Sequence, residues 1–255
     1  MLIQKLKTLT GIVSSFENYL DYLSLLKGWT RKERVTLRTR EGLRIICRNN
    51  HWDARIVAET LLEQVYMKHI VLDSHSAVVV DVGGYIGDFS LYAAKNLGAR
   101  VIAYEPIPDN FELLEANIKV NDFGDRIKAW NKAVSGEPEI KINVARKDGD
   151  IHASGYMYAG SGEQIVIKCS SLAAVFAENN ISNMDLLKVD CEGCEYGLLL
   201  GAPPETFEKI RNIVFEYHEI DGWQQNLHRL NHRLESLGYA VIQDPQLHIV
   251  SAVRR

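Results

Sequence analysis

With 255 residues, the chain has room for one large domain or two small ones, and a composition that is 46% hydrophobic and 24% charged is that of an ordinary globular fold. A formal net charge of −4 argues against a general nucleic-acid binder, and no apolar run approaches the ~18 residues that a membrane span needs. Four cysteines are too few for a disulfide scaffold, and no uninterrupted apolar core follows Lys5 and Lys7, so a reducing, cytoplasmic setting is expected.

Leu2, Leu6, Leu9, Val13, Phe16, Leu20 and Leu23 recur at 4-3 spacing, which predicts one helical stripe over residues 1–28 with Gly28 as its stop. The stripe either lies on its own domain or forms the seam of a homodimer. Arg34–Thr39 and Leu43–Arg48 alternate around Arg40-Glu41-Gly42, which predicts a hairpin. Asn50 or Asp53 can cap the next helix, whose apolar face runs from Ile56 to Tyr66. Residues 1–76 are therefore expected to form a helical and hairpin extension, serving as a cap or for dimerisation, with the main domain at 77–255.

Val78–Val80 is an apolar run without alternation, as expected of a strand buried on both faces. It leads into Asp81-Val82-Gly83-Gly84-Tyr85-Ile86-Gly87-Asp88, then a helix from Phe89 stopped by Gly98, then a strand over Arg100–Tyr104 that ends in Glu105-Pro106. A helix from Pro108, a short strand over Ile127–Trp130 leading to Asn131-Lys132-Ala133, and strands over Ile140–Ala145 and Gln164–Cys169 follow. Arg146–Glu163, rich in Gly, Ser and Asp, is expected to be a long functional loop. Met184–Val189 is a buried strand ending in Asp190-Cys191-Glu192-Gly193-Cys194-Glu195, and the strand after it ends in Glu216-Tyr217-His218. A helix over Trp223–Leu237 precedes two closing strands that are separated only by Asp244-Pro245-Gln246, a gap that forces antiparallel pairing.

Two carboxylates discriminate between ligands. Glu105, closing its strand, is placed to accept from both ribose hydroxyls of any adenosine. Asp81 would repel a pyrophosphate brought to the turn, whereas it would attract S-adenosylmethionine, which has no phosphate and carries an ammonium and a sulfonium. A largely parallel α/β sheet finished by an antiparallel hairpin is the class I methyltransferase variant of the Rossmann-like fold.

Asp81-Val-Gly83-Gly84-Tyr85-Ile86-Gly87, Ala103-Tyr104-Glu105-Pro106 and Asp185-Leu-Leu-Lys188-Val-Asp190-Cys-Glu192-Gly193-Cys-Glu195 together resemble the FkbM-type S-adenosylmethionine-dependent methyltransferases, over roughly residues 35–255. The resemblance implies O-methylation of a hydroxyl on a sugar, glycolipid or polyketide-type natural product. It departs at Tyr85, where the family usually has Asn, and at Cys191 and Cys194, where it has small apolar residues. Asp81, Gly83, Gly84, Tyr85, Gly87, Glu105, Pro106, Asn131, Ala133 and Asp190 are the expected cofactor contacts.

Asp190, Glu192, Glu216 and His218 are the candidate catalytic groups. Glu216 and His218 are two residues apart and so point the same way on a strand, and a histidine titrates near working pH. Lys188 is spaced to pair with Asp190. Cys191 and Cys194 lack the second pair that zinc needs, so packing is expected of them and no metal is assigned. The competing readings are an NAD-linked oxidoreductase and a non-catalytic adenosyl-binding partner that dimerises through residues 1–28.

Overall fold

The structure of the protein, a computed structural model, describes residues 2–72, 76–147, 150–154 and 163–254. Two helices, α1 (Leu2–Ser15) and α2 (Tyr19–Leu26), lead to strands β1 (Arg34–Arg38) and β2 (Arg44–Arg48), helix α3 (His51–Leu61) and a 3-10 turn at Val65–Met67. Then come β3 (Val78–Val82), α4 (Asp88–Asn96), β4 (Arg100–Tyr104), α5 (Pro108–Val120) and β5 (Ile127–Trp130). Strands β6 (Ala133–Val134), β7 (Glu139–Lys147), β8 (Asp150–Ser154) and β9 (Glu163–Ser170) follow. The chain continues through α6 (Leu172–Glu178), β10 (Met184–Val189), α7 (Glu195–Gly201), α8 (Pro204–Phe207) and β11 (Ile210–Glu216). It closes with α9 (Trp223–Ser236), β12 (Tyr239–Asp244) and β13 (Ile249–Arg254).

The main sheet has the order β12-β13-β11-β10-β3-β4-β5, with β13 antiparallel to both neighbours and β5, β4, β3, β10 and β11 mutually parallel. From β3 the chain moves outward to β4 and β5, then returns to β10 on the other side. The order therefore reverses between β3 and β10, and a crevice opens at their carboxyl ends. Helices α6 to α9 cover one face through Val175, Leu198, Phe207, Leu230 and Leu234. On the other face α4 and α5 share a core with the N-terminal segment: Val35, Leu37, Ile45 and Cys47 of the hairpin join Leu91 and Leu114.

The alternation read in β1 is realised as an exposed–buried pattern along the strand. One edge of the hairpin is covered by helix side chains. Asn117 of α5 accepts from Ile46 N (2.7 Å) and donates to Ile46 O (3.1 Å), and Asn121 does the same for Arg44 (2.9 and 2.6 Å). These amides satisfy backbone groups that an unpaired strand edge would leave open. Asn50 caps α3 by accepting from Asp53 N at 2.8 Å.

Three expectations change. The single stripe over residues 1–28 is broken between α1 and α2, where Phe16 bridges to Thr39. The break resets the helical phase, so Ile12, Phe16, Tyr22 and Leu25 turn inward, whereas Leu9 (44% exposed), Val13 (38%) and Leu20 (68%) stay outside. The side chains of Leu2 and Leu6 lie outside the described residues. The helix expected to carry an apolar face on to Tyr66 ends at Leu61, and Gln64, at φ 48°, swings the chain into the 3-10 turn, where Val65 and Tyr66 are still buried against the same core. The segment Arg146–Glu163 is not all loop: β7 runs to Lys147 and pairs antiparallel with β8, within a second sheet of order β6-β9-β7-β8. Residues 148–149 and 155–162 of that segment lie outside the described residues.

Candidate active site

A cavity of about 820 Å³ opens at the carboxyl ends of β3, β4, β10 and β11. Its floor is the Gly-rich turn after β3, where Gly83 takes φ 79° and Tyr85 φ 46°. A Cβ on Gly83 would overlap the Asp190 carbonyl oxygen, so only glycine lets the ends of β3 and β10 come this close. At that φ, Tyr85 takes a left-handed conformation that glycine or asparagine adopts more readily.

Of the expected cofactor residues, Gly83, Tyr85, Glu105, Pro106, Ala133 and Asp190 line this cavity. Glu105 is 4% exposed. One oxygen accepts from Tyr85 N (2.8 Å), and the other from Ile107 N (2.8 Å) and Asn110 Nδ2 (3.3 Å). Burial pushes its carboxyl up to about 7 against the pull of those donors. A carboxylate has about four lone-pair sites, so acceptor capacity remains after three bonds.

Asp81, Gly84, Gly87 and Asn131 are not in the lining. Asn131 donates to the carbonyls of Glu105 and Pro106 (2.9 and 3.1 Å), bracing the end of β4. Gly84 and Gly87 face Leu114 of α5, and Gly87 begins α4 at φ 90°. Asp81 is fully buried, with Lys188 Nζ 3.0 Å from Oδ1 and the Ser90 hydroxyl donating to Oδ2 at 2.6 Å. Lys188 also donates to Gly83 O (2.8 Å), and its contact with Asp190 is longer, at 3.8 Å. The spacing-based pairing of Lys188 with Asp190 is thus secondary to an ion pair with Asp81 across neighbouring strands. Negative charge reaches the cavity from other residues.

Among them are Asp88, Asp190, Glu192 and Glu216, all lining the cavity together with Lys188. Burial pushes Asp88 up to about 7, opposed by Lys188 and by the Thr60 hydroxyl that donates to it. Glu216 is pushed up to about 8, first by burial and then by the charge of Asp190. Glu192, at φ 54°, is raised mainly by burial.

His218 stands behind this group rather than in the lining. Its backbone N donates to Glu195 Oε1 (2.8 Å), and its Nδ1 lies 3.3 Å from the same oxygen. Its Nε2 lies 3.6 Å from Glu192 and 3.9 Å from Asp190. Burial opposes its charge, but the hydrogen bond to Glu195 and the surrounding carboxylates hold it up to about 10. That favours the imidazolium at neutral pH and suits His218 to offset the charge of the neighbouring carboxylates.

Cys191 and Cys194, expected to pack as thiols, are joined in a disulfide that borders the cavity. Their three-residue separation just before α7 brings the sulfurs together, an arrangement the cysteine count did not require.

Several lining residues carried no sequence signal. Trp52, Arg55, Thr60 and Tyr66 reach the cavity from α3 and the turn after it, and Lys141 reaches it from β7. Asp88 directly follows the glycine motif and was legible in principle as an acid opening the helix after it. Tyr66 is separated from its partners by more than a hundred residues, and no local spacing marks it. Its hydroxyl lies 2.9 Å from Asp190 Oδ2 and 3.3 Å from Glu216 Oε2.

Residues 81–241 match the family model of the methyltransferase FkbM domain. The 31-O-demethyl-FK506 methyltransferase FkbM of Streptomyces tacrolimicus is 28% identical over 256 residues, 86% of this chain and 96% of its own. Methyltransferase sdnD of Sordaria araneosa is 26% identical over 226 residues, 75% of this chain and 85% of its own. A SAM-dependent methyltransferase structure from Agrobacterium tumefaciens aligns over 88% of this chain and 71% of its own, with a TM-score of 0.50 at 14% identity, a likeness of fold.

Proposed function

The chain belongs to the FkbM methyltransferase family, with the class I fold and S-adenosylmethionine as cofactor, and from that premise we propose that it methylates a hydroxyl oxygen of a sugar, glycolipid or polyketide-type acceptor. The observation that carries this reading is the cluster of Asp190, Glu192 and Glu216 at one end of the cavity, with Glu216 raised to about 8. An unactivated alcohol must lose its proton as it attacks carbon, and a base poised near working pH contributes typically 10²–10⁴-fold. The name of the Streptomyces relative places that protein's methyl group on an oxygen, which agrees with the reading.

The cavity suits the cofactor chemically. Carboxyls from Glu59, Asp88, Glu105, Glu137, Asp190, Glu192 and Glu216 outnumber the cations Arg55, Lys141 and Lys188, the last of which is itself paired with Asp81, so the lining favours a ligand carrying cationic groups. Glu105 would hold the ribose, and the backbone around Gly83 and Tyr85 would bear the rest of the nucleoside. When bound, the cofactor supplies an electrophilic methyl group. The chain's part is to hold the hydroxyl in line and to take its proton onto a carboxylate of Asp190 or Glu216, with His218 offsetting their charge from behind. Residues 1–76 are proposed to cap the domain at 77–255 and shape the acceptor side, a reading supported by Trp52, Arg55 and Thr60 in the lining.

The test is methyl transfer from isotope-labelled S-adenosylmethionine to a panel of alcohols, amines and thiols, with the site of label assigned by NMR. Label on oxygen is expected. Label on nitrogen, sulfur or carbon alone would overturn the hydroxyl assignment.

A further inference from the structure

Tyr66 belongs to the N-terminal segment, before the residues that match the family model at 81–241, yet its side chain ends among the groups assigned to the chemistry. The ring is 8% exposed, and three contacts fix it. Phe89 meets it edge-on with centroids 5.5 Å apart, Lys188 Nζ stands 5.1 Å from its centroid, and the hydroxyl reaches Asp190 and Glu216. These partners come from α4, from β10 and the residue that follows it, and from the end of β11, so the phenol joins three elements of the main domain to the N-terminal segment.

The hydroxyl has one proton and two lone pairs. It stands 2.9 Å from Asp190 and 3.3 Å from Glu216. Two carboxylates reaching one phenol oxygen in a half-buried site repel each other when both are ionised, so the pair is expected to hold a single proton. In that state the Glu216 carboxyl donates to the phenol oxygen while the phenol donates its own proton to Asp190. The chain of two hydrogen bonds favours the singly protonated pair over either the empty or the doubly protonated one. One carboxylate then remains free to receive the acceptor's proton.

We propose that Tyr66 is a positioning residue for methyl transfer, holding Asp190 and Glu216 as a proton-sharing pair and so making the N-terminal segment part of the catalytic centre. This rests on the reading of those carboxylates as the base. The charged groups around the pair are Lys188 and Glu192 from β10 and its following turn, His218 beyond β11, and Asp88 from α4. None of these bridges both carboxylates as the phenol does.

The experiment is carboxyl titration by NMR on cofactor-free protein labelled with ¹³C at the glutamate side-chain carboxyl, with Glu216 assigned from Glu216→Gln. Stabilising the singly protonated state spreads the two steps of a coupled pair, so Tyr66→Phe should bring the upper midpoint down by about one pH unit. Val65→Ala, which loosens the same turn and leaves the phenol in place, should leave that midpoint where it is. In the unaltered protein the Tyr66 ring carbon bonded to oxygen should titrate with the midpoint of Glu216, a measurement that stands even if Tyr66→Phe does not fold. Binding of S-adenosylhomocysteine should change less than about threefold in Tyr66→Phe. An unmoved midpoint, an equal shift in Val65→Ala, or a Tyr66 signal indifferent to that titration would each overturn the proposal. No acceptor is needed, so failure here leaves the hydroxyl reading standing, and failure of the acceptor panel leaves the proton-sharing pair standing.

Discussion

Single side chains at this site act through what they share. Glu105, at the end of its strand, is buried, and each of its oxygens accepts from at least one backbone N–H. That changes what a conservative substitution does. In Glu105→Gln the amide nitrogen must face either Tyr85 N or Ile107 N, donor against donor, in a buried place. The expected loss is ~1–3 kcal/mol of folding stability together with ~10-fold or more in affinity for S-adenosylhomocysteine. Denaturant melts and calorimetry measure the two, and a variant that keeps both would remove Glu105 from the cofactor site. Gly83 is as constrained for a different reason, since the neighbouring backbone oxygen fills the space a side chain would need.

At the scale of elements, the N-terminal segment is bound to the cofactor turn through a buried network. Asp53, at the start of α3, accepts from Arg48 N (2.7 Å), from Arg48 Nη2 (3.0 Å) and from the Tyr85 hydroxyl (2.7 Å). The Arg48 guanidinium lies 5.1 Å from the Tyr85 ring centroid and donates to Asn110 at 2.7 Å. Asp53→Ala would leave Arg48, only 14% exposed, without its carboxylate. A loss of ~3–5 kcal/mol is expected, with weakened cofactor binding as Tyr85 is released, and chemical denaturation reads it directly. Deleting residues 1–28 removes Ile12, Phe16, Tyr22 and Leu25 from the core shared with the hairpin, and the bond from the Tyr22 hydroxyl to Ala54 O. The truncated chain is therefore expected to melt lower and aggregate. A well-folded monomer in sedimentation, from a full-length dimer, would instead assign the exposed Leu9, Val13 and Leu20 to a subunit seam.

For the whole molecule, buried acids set how stability depends on pH. Asp88 and Glu105 are held up to about 7 and Glu216 up to about 8, whereas the unfolded carboxyls titrate near ~4. His218 is held up to about 10 against ~6.5 unfolded. Each group binds its proton more tightly in the folded state, so the unfolded chain binds fewer protons between these values and stability falls as pH rises. The carboxyl contribution is complete below the unfolded value and is lost through about 7 to 8, and the histidine contribution is lost through about 10. The melting temperature of the cofactor-free protein should fall steadily from roughly pH 5.5 to 9. A flat or rising profile across that range would show that these carboxyls are not perturbed as a group.

The sequence by itself determined the strand–turn–helix–strand unit, the antiparallel close of the sheet, and the set of acids at strand ends. Those features depend on local periodicity, on glycine's freedom at Gly83, and on a gap at Asp244–Gln246 too short for a crossover. It also carried the family, because the motifs around Asp81, Glu105 and Asp190 are contiguous in the chain. Only the tertiary structure decided which acids face the cavity. Asp81 and Asp190 look equivalent as strand-end carboxylates, but Lys188 lies beside Asp81 on the neighbouring strand, in register, and claims it. The inward side of the N-terminal helices was likewise fixed by the break at Phe16, where a bridge to Thr39 outweighs the heptad phase. Tyr66 reached Asp190 and Glu216 because the hairpin and α3 pack on α4 and α5. Contacts across that distance follow from burying one shared core, and no spacing along the chain records them.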